Sequence, residues 1–284
     1  MFVNINGIDV EILNFSKSNY NTVESALKSS LSLPKAKNRD VIYQAFKLAV
    51  SLAPQANASD LWHHVVYRIY MEQLKATKPY KDPGQSWKRA SGDAFELFLA
   101  DYYNTMFKNN GLRLIPLTRD ESKKAFNLMG ISGKVGDSKL DIAIIKDYNG
   151  KSLKINNGTL IGGIHVKASL AERVSDDVPA STEMMKHGYL SYLFTLDVKS
   201  FPLSETLTEP IAYINKGELG TPDAPTDKRK YIEEHGSFNA CFSLNKRTVP
   251  SPAETYSGKM IYTVQPNGKP DKFFEIITKE TNQI

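Results

Sequence analysis

A single cysteine, Cys241, stands in a chain of 284 residues, which excludes an intramolecular disulfide framework and any cysteine cluster for a structural zinc. That scarcity fits a reducing compartment, and the cytoplasm is the expected location. No stretch of about 18 uninterrupted apolar residues occurs. The opening MFVNINGIDVEILNF lacks the basic start and continuous apolar middle of a signal peptide. The expectation is a soluble chain with no membrane partner. Also missing are a glycine-rich phosphate loop, an HExxH pair and a GxSxG elbow, so nucleotide-driven, zincin-type and serine-hydrolase chemistry find no support. Internal repeats and low-complexity tracts are absent as well.

What is present is a mild excess of positive charge, 36 Lys+Arg against 31 Asp+Glu for a net +5 and a pI near 9.0. This balance is compatible with a polyanionic partner. With 41% hydrophobic residues the chain can bury a substantial core. Two domains are expected, a helical one over 1–80 and an α/β one over 81–284.

Apolar residues three or four apart predict helices near 22–31, 41–52 and 60–74, punctuated by Pro34, Pro54 and Pro79. The segment 78–91, with two prolines, a glycine and mixed charge, reads as a linker. Ser91 is a candidate cap for a helix to about Phe107, with Phe95, Phe98, Leu99, Tyr102 and Met106 as its apolar stripe and Glu96 on the margin. Strand-like runs follow at 140–145, 151–155 and 159–169, separated by DYNG and NNG turns. A short helix is expected over 178–187, with Pro179 near its start. YLFTLDV, CFSL, MIYTV and FFEIIT read as later strands.

Two charges stand in odd places. Asp141 opens an otherwise apolar strand, and Lys167 interrupts another, 167 − 141 = 26 residues later. Singly, each is read as a turn residue or a snorkelling side chain. Together they supply a carboxylate and an ammonium, the groups phosphodiester cleavage needs beside a metal ion and a water.

The order of an Asp strand (VGDSKLDIAII), a hairpin and a Lys strand (GGIHVKAS) resembles the core of the PD-(D/E)XK nucleases. The run HVKASLAERVSDDVPAS with LDVKSFP after it is similar to restriction endonucleases of the CCGG group, in particular the BsaWI-like enzymes. The similarity covers most of the C-terminal two-thirds. It implies an α/β nuclease core with a mixed central sheet flanked by helices. It also implies type II restriction activity, with Mg²⁺-dependent cuts in both strands of a short palindromic site containing CCGG, leaving 5′-phosphates. Two nicks about one dyad imply a homodimer or higher homo-oligomer on double-stranded DNA.

The resemblance assigns Asp141 and Lys167 to catalysis. The usual second carboxylate, two positions before the lysine, is replaced by His165. In the CCGG group it moves to the following helix, and Glu183, 183 − 167 = 16 residues on, is the candidate, with Asp176 and Asp177 as rivals. A glutamate in the first turn of a helix is also simply favoured by the macrodipole. Glu96, in SGDAFELFLADYYN, resembles the helix glutamate that this core places near its metal. The metal ligands expected are therefore Glu96, Asp141 and Glu183.

The group reads G·C pairs with an R-(D/E)R type motif. This chain keeps Glu172 and Arg173 but has Ala171 where a first arginine would stand. Arginine can donate twice to guanine and a carboxylate can accept from cytosine N4. Asp177, Lys228, Arg229 and Arg247 are further candidate DNA contacts, with Lys230 and Lys246 nearby. Two other readings stay open: a non-catalytic DNA-binding protein on a degenerate core, and a repair nuclease on the same fold.

Overall fold

Local signals near the N-terminus build a helical layer first. The computed structural model describes residues 1–5, 8–77, 82–148, 154–170, 174–198 and 217–282. A small antiparallel hairpin of β1 (Phe2–Ile5) and β2 (Ile8–Glu11) leads into α1 (Lys17–Ser32), where the Ser16 side chain accepts from the Asn19 N–H. Helix α2 (Asn38–Leu52) buries Val41, Ile42, Ala45, Phe46 and Ala49 on one side. Then α3 (Ala58–Asp60), a π-helical stretch Leu61–Tyr67 and α4 (Arg68–Thr77) run on without a break.

The expected linker is largely helix. Asp82 accepts from the Gln85 N–H and Pro83 occupies the first turn of α5 (Pro83–Met106). Proline at that position is a start signal, because the N–H it lacks would be unpaired anyway. Ser91, expected as a cap, is buried within α5. The expected boundary at residue 80 falls outside the described residues.

Six strands form one mixed sheet in the order β3 (Arg113–Pro116), β4 (Ile142–Lys146), β5 (Thr159–Lys167), β6 (Leu190–Thr195), β7 (Ala240–Ser243) and β8 (Met260–Thr263). The β3–β4 and β4–β5 pairs are antiparallel, and β5 through β8 run parallel. Alternation along the strands feeds two faces. Ile142, Ile144, Tyr192, Phe194 and Phe242 join Phe95, Phe98, Leu99 and Tyr103 of α5 and the N-terminal helices in one buried cluster. Ala143 and Ile145 face α6 (Arg119–Leu128) and α7 (Val174–Lys186), against Phe126, Ala180 and Met184. The sheet is thus sandwiched by helices, as expected for the α/β nuclease class.

Two expected strands need correction. Residues 151–153 lie outside the described residues, and Lys154 and Ile155 form no strand. FFEIIT is helical, within α9 (Lys272–Thr281), because Asp271 accepts from the Phe273 and Phe274 N–H groups. Its buried residues Phe273, Ile277 and Thr281 recur every four positions, which is a helical period. Burying a Phe273-sized side chain contributes about 1.5–3 kcal/mol.

Candidate active site

The site lies where the Asp and Lys strands meet. Asp141 immediately precedes β4, and the register Ile142↔Ile164 sets it beside the end of β5. The Val166 N–H donates to Asp141 Oδ2 at 2.8 Å, fixing a carboxylate that is only 4% exposed. On β5 the two-residue period puts His165 and Lys167 on the same face. Lys167 Nζ lies 3.6 Å from Asp141 Oδ2 and 2.7 Å from Asp177 Oδ2. Asp177 comes from the buried side of α7, in line with Ser181 and Met184. His165 is fully buried, with Nδ1 3.6 Å from Asp177 Oδ1 and its ring edge-on to Phe238 at 5.7 Å.

A third carboxylate reaches in from the other side of the sheet. Glu96, in the middle of α5, meets Lys139 Nζ at 3.0 and 3.3 Å, and the same ammonium lies 3.3 Å from Asp141 Oδ1. Burial and then the Asp141 charge push the Glu96 carboxyl up to about 8, against the pull of Lys139. Burial alone would lower the Lys167 ammonium, but Asp141 and Asp177 outweigh it and hold the group above the usual lysine value. Burial likewise opposes ionisation of Asp177, yet His165 and Lys167 keep its carboxyl below the usual range.

The donor chemistry fits a hard divalent cation. Magnesium takes oxygen ligands, commonly one or two carboxylates completed by waters and phosphate oxygens. Glu96 and Asp141 are two such carboxylates, meeting one cation, the Lys139 ammonium, at 3.0–3.3 Å. Among the described residues no three His, Cys, Asp or Glu groups stand close enough to hold an ion unaided.

The structure separates the remaining candidates. Glu183 points elsewhere: its carboxylate meets Lys186 at 2.8 Å, Lys134 at 3.5 Å and His187 at 4.0 Å, and the Asp141 cluster takes Asp177 from α7 in its place. Helix α7 starts at Val174, ahead of Pro179, and a six-residue offset turns Glu183 roughly 240° around the axis from Asp177. Arg229 is a correction as a DNA contact. It is fully buried in α8 (Asp227–Glu233), donating to the Leu219, Gly220 and Val249 carbonyls and to Glu233. Arg247 makes a two-pronged pair with Asp60 at 2.8 and 2.8 Å, tying the end of β7 to the helical layer. Lys228 pairs with Glu218 at 3.2 Å. Glu172 and Arg173 lie outside the described residues. Lys139, two residues before Asp141, was not anticipated.

Carboxylates and a buried lysine at one end of a mixed sheet, between helices, define a nuclease core of the PD-(D/E)XK kind. The family model for the BsaWI restriction endonuclease type 2 matches residues 119–268. The chain is 46% identical over 267 residues to the type II restriction enzyme AgeI of Thalassovita gelatinovora, covering 94% of this chain and 93% of that one. The solved complex of specific restriction endonuclease AgeI with DNA superposes with a TM-score of 0.87 at 44% identity, covering 99% of both chains. The pre-specific BsaWI–DNA complex is more distant, with a TM-score of 0.40 and 15% identity over 94% of this chain and 89% of that one. The chain belongs to the BsaWI-type family of type II restriction endonucleases. It is a DNA-binding, site-specific deoxyribonuclease, of a kind that generally depends on a divalent metal. Among the described residues no helix is long and apolar enough to cross a membrane.

Proposed function

We propose that this endonuclease cuts both strands of a short palindromic DNA site containing CCGG, using Mg²⁺ and leaving 5′-phosphate ends. The observation that carries the reading is the buried Lys167 ammonium, 3.6 Å from Asp141 and 2.7 Å from Asp177 at the strand ends. Bound Mg²⁺, held by Glu96 and Asp141, would supply Lewis-acid stabilisation of the phosphoryl oxygens and acidify a water.

The remaining work belongs to the chain. Lys167 is held protonated by its two carboxylates, so it donates: it orients the attacking water and meets negative charge developing on the phosphate. Asp177, reaching in from α7, aims the lysine. Glu183 has no part in this assignment.

Arg173 is assigned to guanine O6 and N7 and Glu172 to cytosine N4. A palindrome needs two copies of the site, so a homodimer about the DNA dyad is the acting form. The cytoplasm is its place of work, where the buried Cys241 thiol stays reduced.

Digestion of sequenced plasmid or phage DNA with Mg²⁺ or EDTA, with run-off sequencing of the ends, tests the reading. Discrete Mg²⁺-dependent ends centred on CCGG are expected. Sequence-specific binding without scission would instead favour a non-catalytic binding protein, and cuts at DNA lesions or junctions a repair nuclease.

A further inference from the structure

We propose that Lys139 is the resident cation of the Glu96–Asp141 pair in the metal-free enzyme, and that a divalent ion binds by displacing it. The inference rests on the metal-site reading above and assigns a role to a residue outside the Asp141–Lys167 motif.

The contacts define the position. One ammonium touches both oxygens of Glu96, at 3.0 and 3.3 Å, and Oδ1 of Asp141, at 3.3 Å. These are the two carboxylates that suit the metal. A singly charged ammonium and a divalent ion cannot share them, because two cations at a few ångströms repel strongly where water is scarce. Occupancy by one excludes the other.

The partners differ in freedom. The carboxylates are fixed, Asp141 by the Val166 N–H and Glu96 by its place in the middle of α5, with side-chain exposures of 6% and 9%. Lys139 reaches them from outside the sheet, its side chain 34% exposed. A four-carbon stem with an accessible root can swing its head into solvent or onto a DNA phosphate at modest cost. Lys167 cannot do the same job. It sits on the opposite oxygen, Asp141 Oδ2, and is pinned by Asp177 at 2.7 Å, with 17% side-chain exposure. The two lysines thus divide the labour at one carboxylate, Lys167 as the fixed charge and Lys139 as the exchangeable one.

Competition of this kind weakens the apparent affinity by the fraction of molecules in which the site is open. It also couples metal to DNA, because a phosphate gives the displaced ammonium a new partner.

The test is a calorimetric Mg²⁺ titration of the DNA-free protein, which reads binding and not cleavage. Lys139→Met keeps the stem and removes the charge, and should bind Mg²⁺ about tenfold tighter than the parent; Lys139→Arg should bind like the parent. Unchanged or weaker binding by Lys139→Met overturns the proposal. Asp141→Asn serves as the control for the site. If it binds Mg²⁺ as the parent does, the metal-site reading fails and the proposal with it; if it loses binding while Lys139→Met is unchanged, only the role of Lys139 fails. Should Lys139→Met unfold without metal, circular dichroism decides: refolding on adding Mg²⁺ supports the proposal, and no recovery overturns it.

Discussion

Two of the buried charge clusters among the described residues behave in opposite ways. Around Arg229 and Asp197 every charge is answered from within. Arg229 donates to three carbonyls and to Glu233. Asp197 accepts from the Glu218 N–H at 2.6 Å and from the Thr248 hydroxyl at 2.6 Å. Around Asp141 the internal answer is incomplete, although Lys139 and Lys167 both reach its carboxylate. Glu96 is held up at about 8 by burial and by Asp141, and neither ring nitrogen of the buried His165 finds a hydrogen bond among the described residues. Burial of charge therefore does not mark a functional site. What marks it is a buried charge whose internal partner can be exchanged for one from solution.

That contrast can be broken at both ends. The largest effect belongs to Lys167→Ala, which should lower single-turnover cleavage about 10²–10⁴-fold per folded molecule while leaving DNA binding in place. Cleavage at the parent's rate would remove Lys167 from the centre. Next comes Arg229→Met, which leaves Glu233 and three carbonyls without their buried donor. It should cost about 3–5 kcal/mol in urea unfolding yet spare the cleavage rate per folded molecule. Loss of rate without loss of stability would reverse the assignment.

A smaller and pH-dependent effect belongs to Glu96. Its folded-state pKa is raised from 4.5 to about 8, so between those values the folded state holds a proton that the unfolded state has released. Stability of the metal-free parent should then fall relative to Glu96→Gln as pH rises from about 4.5 to about 8. Equal pH dependence in the two proteins, measured by urea unfolding in EDTA, would show that Glu96 is not under strain.

Much of this was legible in the sequence, and the misses share a cause. Asp141 and Lys167 could be found because strand alternation makes a charge in an apolar run conspicuous, and the sheet then brought them together as the motif implies. The helix after β5 was found but not its phase. Pro179 looks like a first-turn residue, yet α7 begins at Val174, and the shift decides whether Asp177 or Glu183 faces the sheet. Arg229 lies in a Lys-Arg-Lys run that reads as a solvated face, and nothing local says that its guanidinium turns inward. FFEIIT is too short for alternation to separate strand from helix, and the capping Asp271 was the signal that could have settled it. Lys139 carried no motif.

Helix α7 supplies Asp177, and not Glu183, to the Asp141–Lys167 centre. Single-turnover cleavage of one CCGG-containing duplex by Asp177→Asn and Glu183→Gln tests it most directly. Asp177→Asn should lose about 10²-fold or more in rate, and Glu183→Gln should cut like the parent. Normal cutting by Asp177→Asn together with an inactive Glu183→Gln would contradict it.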